Sequence, residues 1–373
     1  MRFAEIKGLD EIKNSLQYAT ENNHVAHAYL MHGRPGSATL TMAQAFAMYI
    51  NCESPVDGDA CGQCASCRKM SKGIHPDQHF VYPVFSTSGA GKDKQRAAIQ
   101  EEWRKFIQDN PYASLPQWSA QIEAENKQCA IAVEESRNIV KAVSLKAFEA
   151  KYKMVYIWLP ETMNASAANA LLKVLEEPPD RTVFLLISQD IENIMTTITS
   201  RCQIVHIRPF TPDELTDMLI NQYEVESQVA QEVAVQAEGS LFDALQFSEA
   251  GTFDEKDLFR EWMRLCYANR FSELAFKAED FQKKSREEQK GLLRYGINVM
   301  RELLIFHAGS HALMRMGEEQ QQFLKGFGKV VKAHHLEQLF ILLQDAIYHI
   351  ERNASPKITF MNLSVAISRT MKL

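Results

Sequence analysis

KYKMVYIWLPETMNASAANALLKVLEEPPDRTVFLLIS, residues Lys151 to Ser188, is the stretch whose reading decides the fold. Met154 to Leu159 and Thr182 to Ser188 are short apolar runs rich in β-branched and aromatic side chains. They have the length and flanks of strands buried on both faces. Between them Ala168, Leu171, Leu172 and Leu175 fall at i, i+3, i+4 and i+7, which gives a helix one apolar face. Pro178 and Pro179 end that helix, because a residue before proline is pushed out of the helical region. Strand, helix and strand in so short a span form a parallel crossover unit.

Towards the N-terminus, Ile6, Leu9, Ile12 and Leu16 recur at helical spacing within residues 1–27. Ala28 to Gly33 reads as a strand ending in glycine, and Leu40, Ala43, Ala47 and Ile50 mark one side of a following helix. Strand, glycine turn and helix are the context of a phosphate-binding loop. The chain has 373 residues, room for about two or three domains with sizeable cores. Its formal charge of −6 disfavours a dedicated nucleic-acid binder, which needs a basic face, and leaves room only for a local basic patch. The opening MRFAEIKGLDEIKNSL breaks its apolar residues with charges, so no secretory signal is visible, and no apolar run reaches membrane-spanning length. Seven cysteines, an odd number without an export signal, point to a reducing compartment, so a cytoplasmic location is expected.

Asn169-Ala170-Leu171-Leu172-Lys173-Val174-Leu175-Glu176-Glu177-Pro178-Pro179 closely resembles the clamp-loader branch of the AAA+ family, where this string follows the second nucleotide motif. The branch's Ser-Arg-Cys signature is matched by Ser200-Arg201-Cys202. The resemblance implies an α/β AAA+ module over residues 1–209, a parallel sheet flanked by helices, then a small helical lid over 210–250 and an all-α collar over 251–373. Thr211, Pro212 and Glu214 read as N-cap, first and third positions of the first lid helix. The collar reads as about five amphipathic helices, with Leu292, Leu293, Val299, Met300, Leu303 and Leu304, then Leu336, Leu339, Leu343 and Ile347, on apolar faces. Asn353-Ala354-Ser355-Pro356-Lys357 is also similar to the family.

The phosphate loop departs from its relatives. An active loop reads G-x-x-x-x-G-K-[ST], with backbone N–H groups around the phosphates, a lysine on the outer phosphates and a hydroxyl on Mg²⁺. Gly33-Arg34-Pro35-Gly36-Ser37-Ala38-Thr39-Leu40 has Ala38, Thr39 and Leu40 at the last glycine, lysine and hydroxyl. A turn kept for shape is expected, with no cofactor bound there, the alternative being weak nucleotide occupancy. The Asp-Glu pair of ATP-hydrolysing relatives falls on Trp158 and Leu159, and Glu161 reads as a solvated carboxylate at a helix start. The lid arginine of a G-S-L-R-x-A-L pattern falls on Phe242 in Gly239-Ser240-Leu241-Phe242-Asp243-Ala244-Leu245. Ser88-Gly89-Ala90-Gly91-Lys92-Asp93 imitates a Gly-Lys pair but has Ser86 and Asp93 where a glycine and a hydroxyl are needed. It lies in a polar loop within an insertion over about 86–130, whose Ile99 to Leu115 part reads as a helix and carries no assigned role.

Cys52, Cys61, Cys64 and Cys67 are spaced C-x8-C-x2-C-x2-C, with Gly58 and Gly62 for the turns. Four soft ligands suit a structural Zn²⁺, the alternatives being free thiols or a redox pair. The related subunits carry such a module at this point. Cys129, Cys202 and Cys266 read as small buried apolar residues. His75 and Asp77 admit a catalytic pair, but no nucleophile stands beside them, and His334, His335 and His349 read as surface or interface residues. The resemblance implies that Arg201 reaches across a subunit boundary to ATP held by a neighbour. The alternative is a structural arginine paired with a local carboxylate. The whole implies a non-ATPase stator of the DNA polymerase III clamp loader. Its expected place is a hetero-pentameric ring with delta and gamma/tau subunits, which sets a sliding clamp on primed DNA. The rivals are a motor ATPase of the gamma/tau type and a zinc-dependent nucleic-acid-binding module.

Overall fold

The computed structural model describes residues 1–85, 92–112, 114–124, 129–250, 252–284, 286–309, 318–352 and 354–372. The Ser88–Gly91 part of the Gly-Lys imitation, Gly251 and Asn353 lie outside the described residues. The chain divides into two compact units, Met1–Met218 with Glu238–Asp243, and Leu219–Ala237 with Ala244–Leu373.

The first unit is built on strands β1 (Ala28–His32), β2 (Gln78–Val81), β3 (Val84–Phe85), β4 (Cys129–Ala130), β5 (Lys153–Trp158), β6 (Thr182–Ser188) and β7 (Gln203–His206). Five of them form one sheet in the order β2-β5-β6-β1-β7, and every pairing is parallel. Every residue of β5 and β6 is buried, as a sheet covered on both faces requires. The chain from Gln78 to Phe85 is split into two strands at Tyr82-Pro83. Proline has no N–H for a ladder, and the chain leaves to form the antiparallel β3–β4 ribbon, which the sequence did not announce.

The helices of this unit are α1 (Asp10–Glu21), α2 (Thr39–Ile50), α3 (Ala65–Ser71), α4 (Lys92–Asp109), α5 (Leu115–Gln121), α6 (Val133–Ser144), α7 (Ala165–Glu176), α8 (Thr196–Thr199) and the start of α9 (Pro212–Tyr223). Helix α1 begins later than the periodicity suggests. Leu9 takes the left-handed φ of 58°, so Ile6 and Leu9 are buried from the turn ahead of the helix. Asn164 caps α7 by accepting the Ala167 N–H at 2.8 Å. Ile139, Val143, Ala168, Leu171 and Leu175 of α6 and α7 close one face of the sheet over Leu30, Val155, Ile157, Phe184 and Leu186. On the opposite face Phe46 of α2 packs edge-on to Tyr29 at 5.1 Å.

The second unit is helical: the rest of α9, α10 (Ser227–Gln236), α11 (Leu241–Ala250) from Ala244 on, α12 (Thr252–Tyr267), α13 (Phe271–Lys283), α14 (Arg286–His307), α15 (Glu318–Phe327), α16 (Ala333–Glu351) and α17 (Pro356–Thr370). Trp262 stacks on Phe360 at 4.7 Å while its Nε1–H donates to Ser364 Oγ at 2.8 Å, so the largest buried ring also satisfies its polar atom. Leu292, Leu293, Val299, Met300, Leu303, Leu336, Leu339 and Leu343 are buried as their spacing predicts, whereas Leu304 is 53 % exposed.

Candidate functional site

The end of β1 delivers the chain into the loop Gly33–Leu40. Gly33 is required by crowding, since a Cβ there would lie 2.7 Å from Ile207 O and Ser37 Oγ. Gly36 has φ +78°, and a Cβ there would meet Ser240 Oγ at 1.9 Å. The Leu241 N–H donates to Gly36 O at 3.1 Å, and Phe210 N–H donates to Gly239 O at 3.1 Å. The loop is thereby tied to the 239–241 turn. Ala38, Thr39 and Leu40 are each at most 3 % exposed. The turn of a phosphate loop survives, but Thr39 brings no cation to the lysine position and Leu40 no oxygen to the metal-binding position.

Trp158 sits at the C-terminal end of β5, where ATP-hydrolysing relatives place an acid. It is 1 % exposed, with ring centroids 5.2 Å from Trp103 and 5.8 Å from Phe106 of α4. Trp118 of α5 packs edge-on to Trp103 at 5.1 Å and donates its Nε1–H to Pro83 O at 2.7 Å. Tyr82 stacks on Trp103 at 4.2 Å. The described helices of the insertion therefore seal this corner of the sheet with indole and phenyl rings. Glu161 corrects the sequence reading. Its Oε1 accepts the N–H groups of Gln189 at 2.8 Å and Asp190 at 3.2 Å, beside the end of β6, and its Oε2 is buried without a partner. Burial pushes this carboxyl above its usual range, against the pull of those donors, so it is no solvated helix-start carboxylate.

The sulfurs of Cys52, Cys61, Cys64 and Cys67 all lie within 4.8 Å of one another, the one such cluster among the described residues. Gly58 and Gly62, at φ of +75° and +70°, make the turns between them. A tetrahedron of sulfurs at Zn–S distances of about 2.3 Å has edges of about 3.8 Å, and Cys61 and Cys67 Sγ are 4.0 Å apart. Backbone N–H groups already point at the sulfurs: Cys61 to Cys52 Sγ at 3.2 Å, Cys64 to Cys61 Sγ at 3.3 Å, and Cys67 to Cys64 Sγ at 3.4 Å. The N–H groups of Gln63 and Cys64 pull the Cys61 thiol down to about 6, while burial pushes Cys67 up. Such donors stabilise thiolates, so the four residues fit a closed sulfur site. Asp59 fastens the knuckle to the N-terminus by accepting the N–H groups of Phe3 at 3.1 Å and Ala4 at 2.9 Å.

His75 and Asp77 form no reactive pair. Asp77 accepts the N–H groups of Phe148, Glu149 and Ala150 at 2.7, 2.8 and 2.8 Å, and His75 Nδ1 accepts the Asp77 N–H at 3.1 Å. Their work is to hold the 148–150 turn, a role that no local spacing signals. His335 Nδ1 accepts the Lys332 N–H at 3.2 Å, at the start of α16.

Arg201 lies just ahead of β7, the edge strand, and its side chain is 31 % exposed. Its Nε–H donates to Glu176 Oε1 at 2.9 Å, and Nη2 donates to the same oxygen. Nη1 donates to Thr197 O at 2.7 Å and Ser200 Oγ at 3.2 Å. Cys202 packs partly buried against the sheet core, and burial raises its thiol to about 12.

The sequence profile of the family described as DNA polymerase III, delta subunit matches residues 8–211. The chain belongs to that family, the DNA polymerase III clamp-loader subunits. It is 32 % identical over 177 residues to DNA polymerase III subunit delta' of Pseudomonas aeruginosa, covering 48 % of this chain and 42 % of that protein. It is 29 % identical over 209 residues to subunit delta' of Bacillus subtilis, covering 56 % and 50 %. Subunit tau of Bacillus subtilis is 26 % identical over 265 residues, covering 69 % of this chain and 39 % of the tau protein. The chain thus spans half or less of the length of each of these three relatives. The residues matched by the family fall in the parallel-sheet unit, and a helical C-terminal part follows them in the chain. No helix among the described residues is long and apolar enough to cross a membrane.

Proposed function

We propose that this clamp-loader subunit is of the delta-prime type, a stator without ATPase activity of its own. The observation that carries the reading is the phosphate loop. Its lysine and hydroxyl positions are the buried Thr39 and Leu40, and the acid position is Trp158 in a sealed aromatic corner. Phosphoryl transfer is catalysed by positioning and by charge neutralisation, and Thr39 supplies no charge at the position where the lysine would stand.

The chain contributes instead to a neighbour. Arg201, at the sheet edge and partly exposed, is assigned as the arginine offered in trans to ATP held by an adjoining gamma/tau subunit. A guanidinium suits the task because it is always charged and its planar fork matches phosphate oxygens. The delta subunit takes another face, in a hetero-pentameric ring of cytoplasmic location that opens the sliding clamp and places it on primed DNA. Residues 210–250 serve as the lid and 251–373 as the collar. Zn²⁺ held by Cys52, Cys61, Cys64 and Cys67 is structural: with four sulfurs bound it has no open position, and it staples the knuckle after α2.

The experiment is reconstitution of the ring with motor and delta subunits, carrying either this chain or its Arg201→Ala variant. Assembly is expected to be unchanged. Turnover at the site this chain completes is expected to fall by a factor on the order of 10³. Unchanged turnover in an intact ring would remove Arg201 from the reaction.

A further inference from the structure

We infer that Glu176 is the positioning residue for Arg201, a step that rests on the trans-arginine reading above. Glu176 is the last residue of α7. A carboxylate at that end of a helix faces the negative pole of the backbone dipole, where a cation is favoured, so Glu176 does nothing for α7 itself. Among the described residues its hydrogen-bond partner is Arg201, reached across 25 positions of sequence.

The donors can be counted. A guanidinium carries five N–H groups. Nε and one Nη2 hydrogen converge on Glu176 Oε1, and the two Nη1 hydrogens go to Thr197 O and Ser200 Oγ. One Nη2 hydrogen is left unspent, beside the Glu176 contact and on a side chain still 31 % exposed. The remaining donors clamp the guanidinium plane between the end of α7 and the end of α8, so the free N–H has a fixed direction next to the edge strand. Such a half-exposed pair adds little to stability. Its effect is orientational: an arginine otherwise free to wander among rotamers is held ready, and misplacement of a reacting group is costly in rate.

The test uses the complete ring reconstituted with cognate motor and delta subunits. Turnover at the completed site is taken as the difference between rings holding wild type and Arg201→Ala. Glu176→Ala is expected to lower kcat at that site by about three- to tenfold, with KM for ATP unchanged. Glu176→Gln, which keeps an oxygen acceptor, recovers most of the loss. Arg201→Ala/Glu176→Ala should equal Arg201→Ala alone, because Glu176 acts only through the arginine. Ring assembly by mass is checked for every variant. If Arg201→Ala lowers turnover while Glu176→Ala leaves it unchanged, the positioning role is refuted and the trans-arginine reading stands. A rise in kcat for Glu176→Ala makes the glutamate a competitor for the guanidinium, the opposite of a positioner. A double variant slower than Arg201→Ala would show that Glu176 acts by another route. No effect of Arg201→Ala refutes the trans-arginine reading itself, and Glu176's role with it.

Discussion

Putting an acid back at residue 158 will not rebuild a nucleotide site; it will break the fold around it. Trp158 is 1 % exposed and touches Trp103 and Phe106 ring to ring. Truncation of a buried tryptophan costs about 3–5 kcal/mol, because the lost transfer energy is joined by a cavity the neighbours only partly fill. Trp158→Ala should therefore destabilise the first unit by ~4 kcal/mol. With a urea slope of roughly 2.5 kcal/mol per molar, the midpoint falls by about 1.5 M. Trp158→Asp should cost more than alanine, since the carboxylate arrives among aromatic rings with no cation beside it. Trp158→Phe, which keeps a ring in the corner, should cost less than either. Urea unfolding followed by circular dichroism, with amide exchange in β5 and α4 to isolate this unit, reads the series. The reasoning is refuted if Trp158→Asp is as stable as wild type and gains affinity for Mg-ATP, or if Trp158→Ala costs less than ~1 kcal/mol.

Metal analysis should find one zinc per chain, and a chelator that removes it should raise amide exchange over 52–71 while β5 and β6 stay protected. Zinc-free protein with an ordered knuckle would contradict this. For Asp77, burial raises the pKa, but the three N–H donors of 148–150 and the nearby His75 outweigh it, so the folded value lies below the ordinary 3.8. A depressed carboxyl stabilises the fold above its unfolded pKa, and the contribution is lost as pH falls through the folded value. Asp77→Asn should cost about 2–4 kcal/mol at pH 7, with the gap to wild type narrowing below about pH 4. A gap constant down to the folded pKa would mean that the carboxylate charge is not what holds the turn.

Much of this was legible because it is local. The β1, β5 and β6 runs and the Thr211–Glu214 box are written in neighbouring letters. In that box Glu214 N–H donates to Thr211 Oγ1 at 3.2 Å, and Thr211 N–H to Glu214 Oε2 at 2.8 Å. The four cysteines carried their spacing openly. What escaped depends on contacts between distant segments. Glu161 was misjudged because its donors sit at the end of β6, 28 and 29 positions away. Asp77 reaches across more than 70 positions to the 148–150 turn. The insertion could be seen but not placed, since nothing in its own periodicity says that Trp103 and Phe106 pack against Trp158. Arg201 was visible as a motif, whereas Glu176, one letter of a longer family string, showed its partner only in three dimensions.

The most direct trial of the account is ATP consumption by the purified chain alone, in millimolar Mg-ATP. A loop that ends in Ala38, Thr39 and Leu40, with Trp158 at the acid position, predicts phosphate release indistinguishable from buffer. Sustained release that disappears when this chain's own 33–40 loop is altered would contradict the claim that it assists a reaction it does not perform.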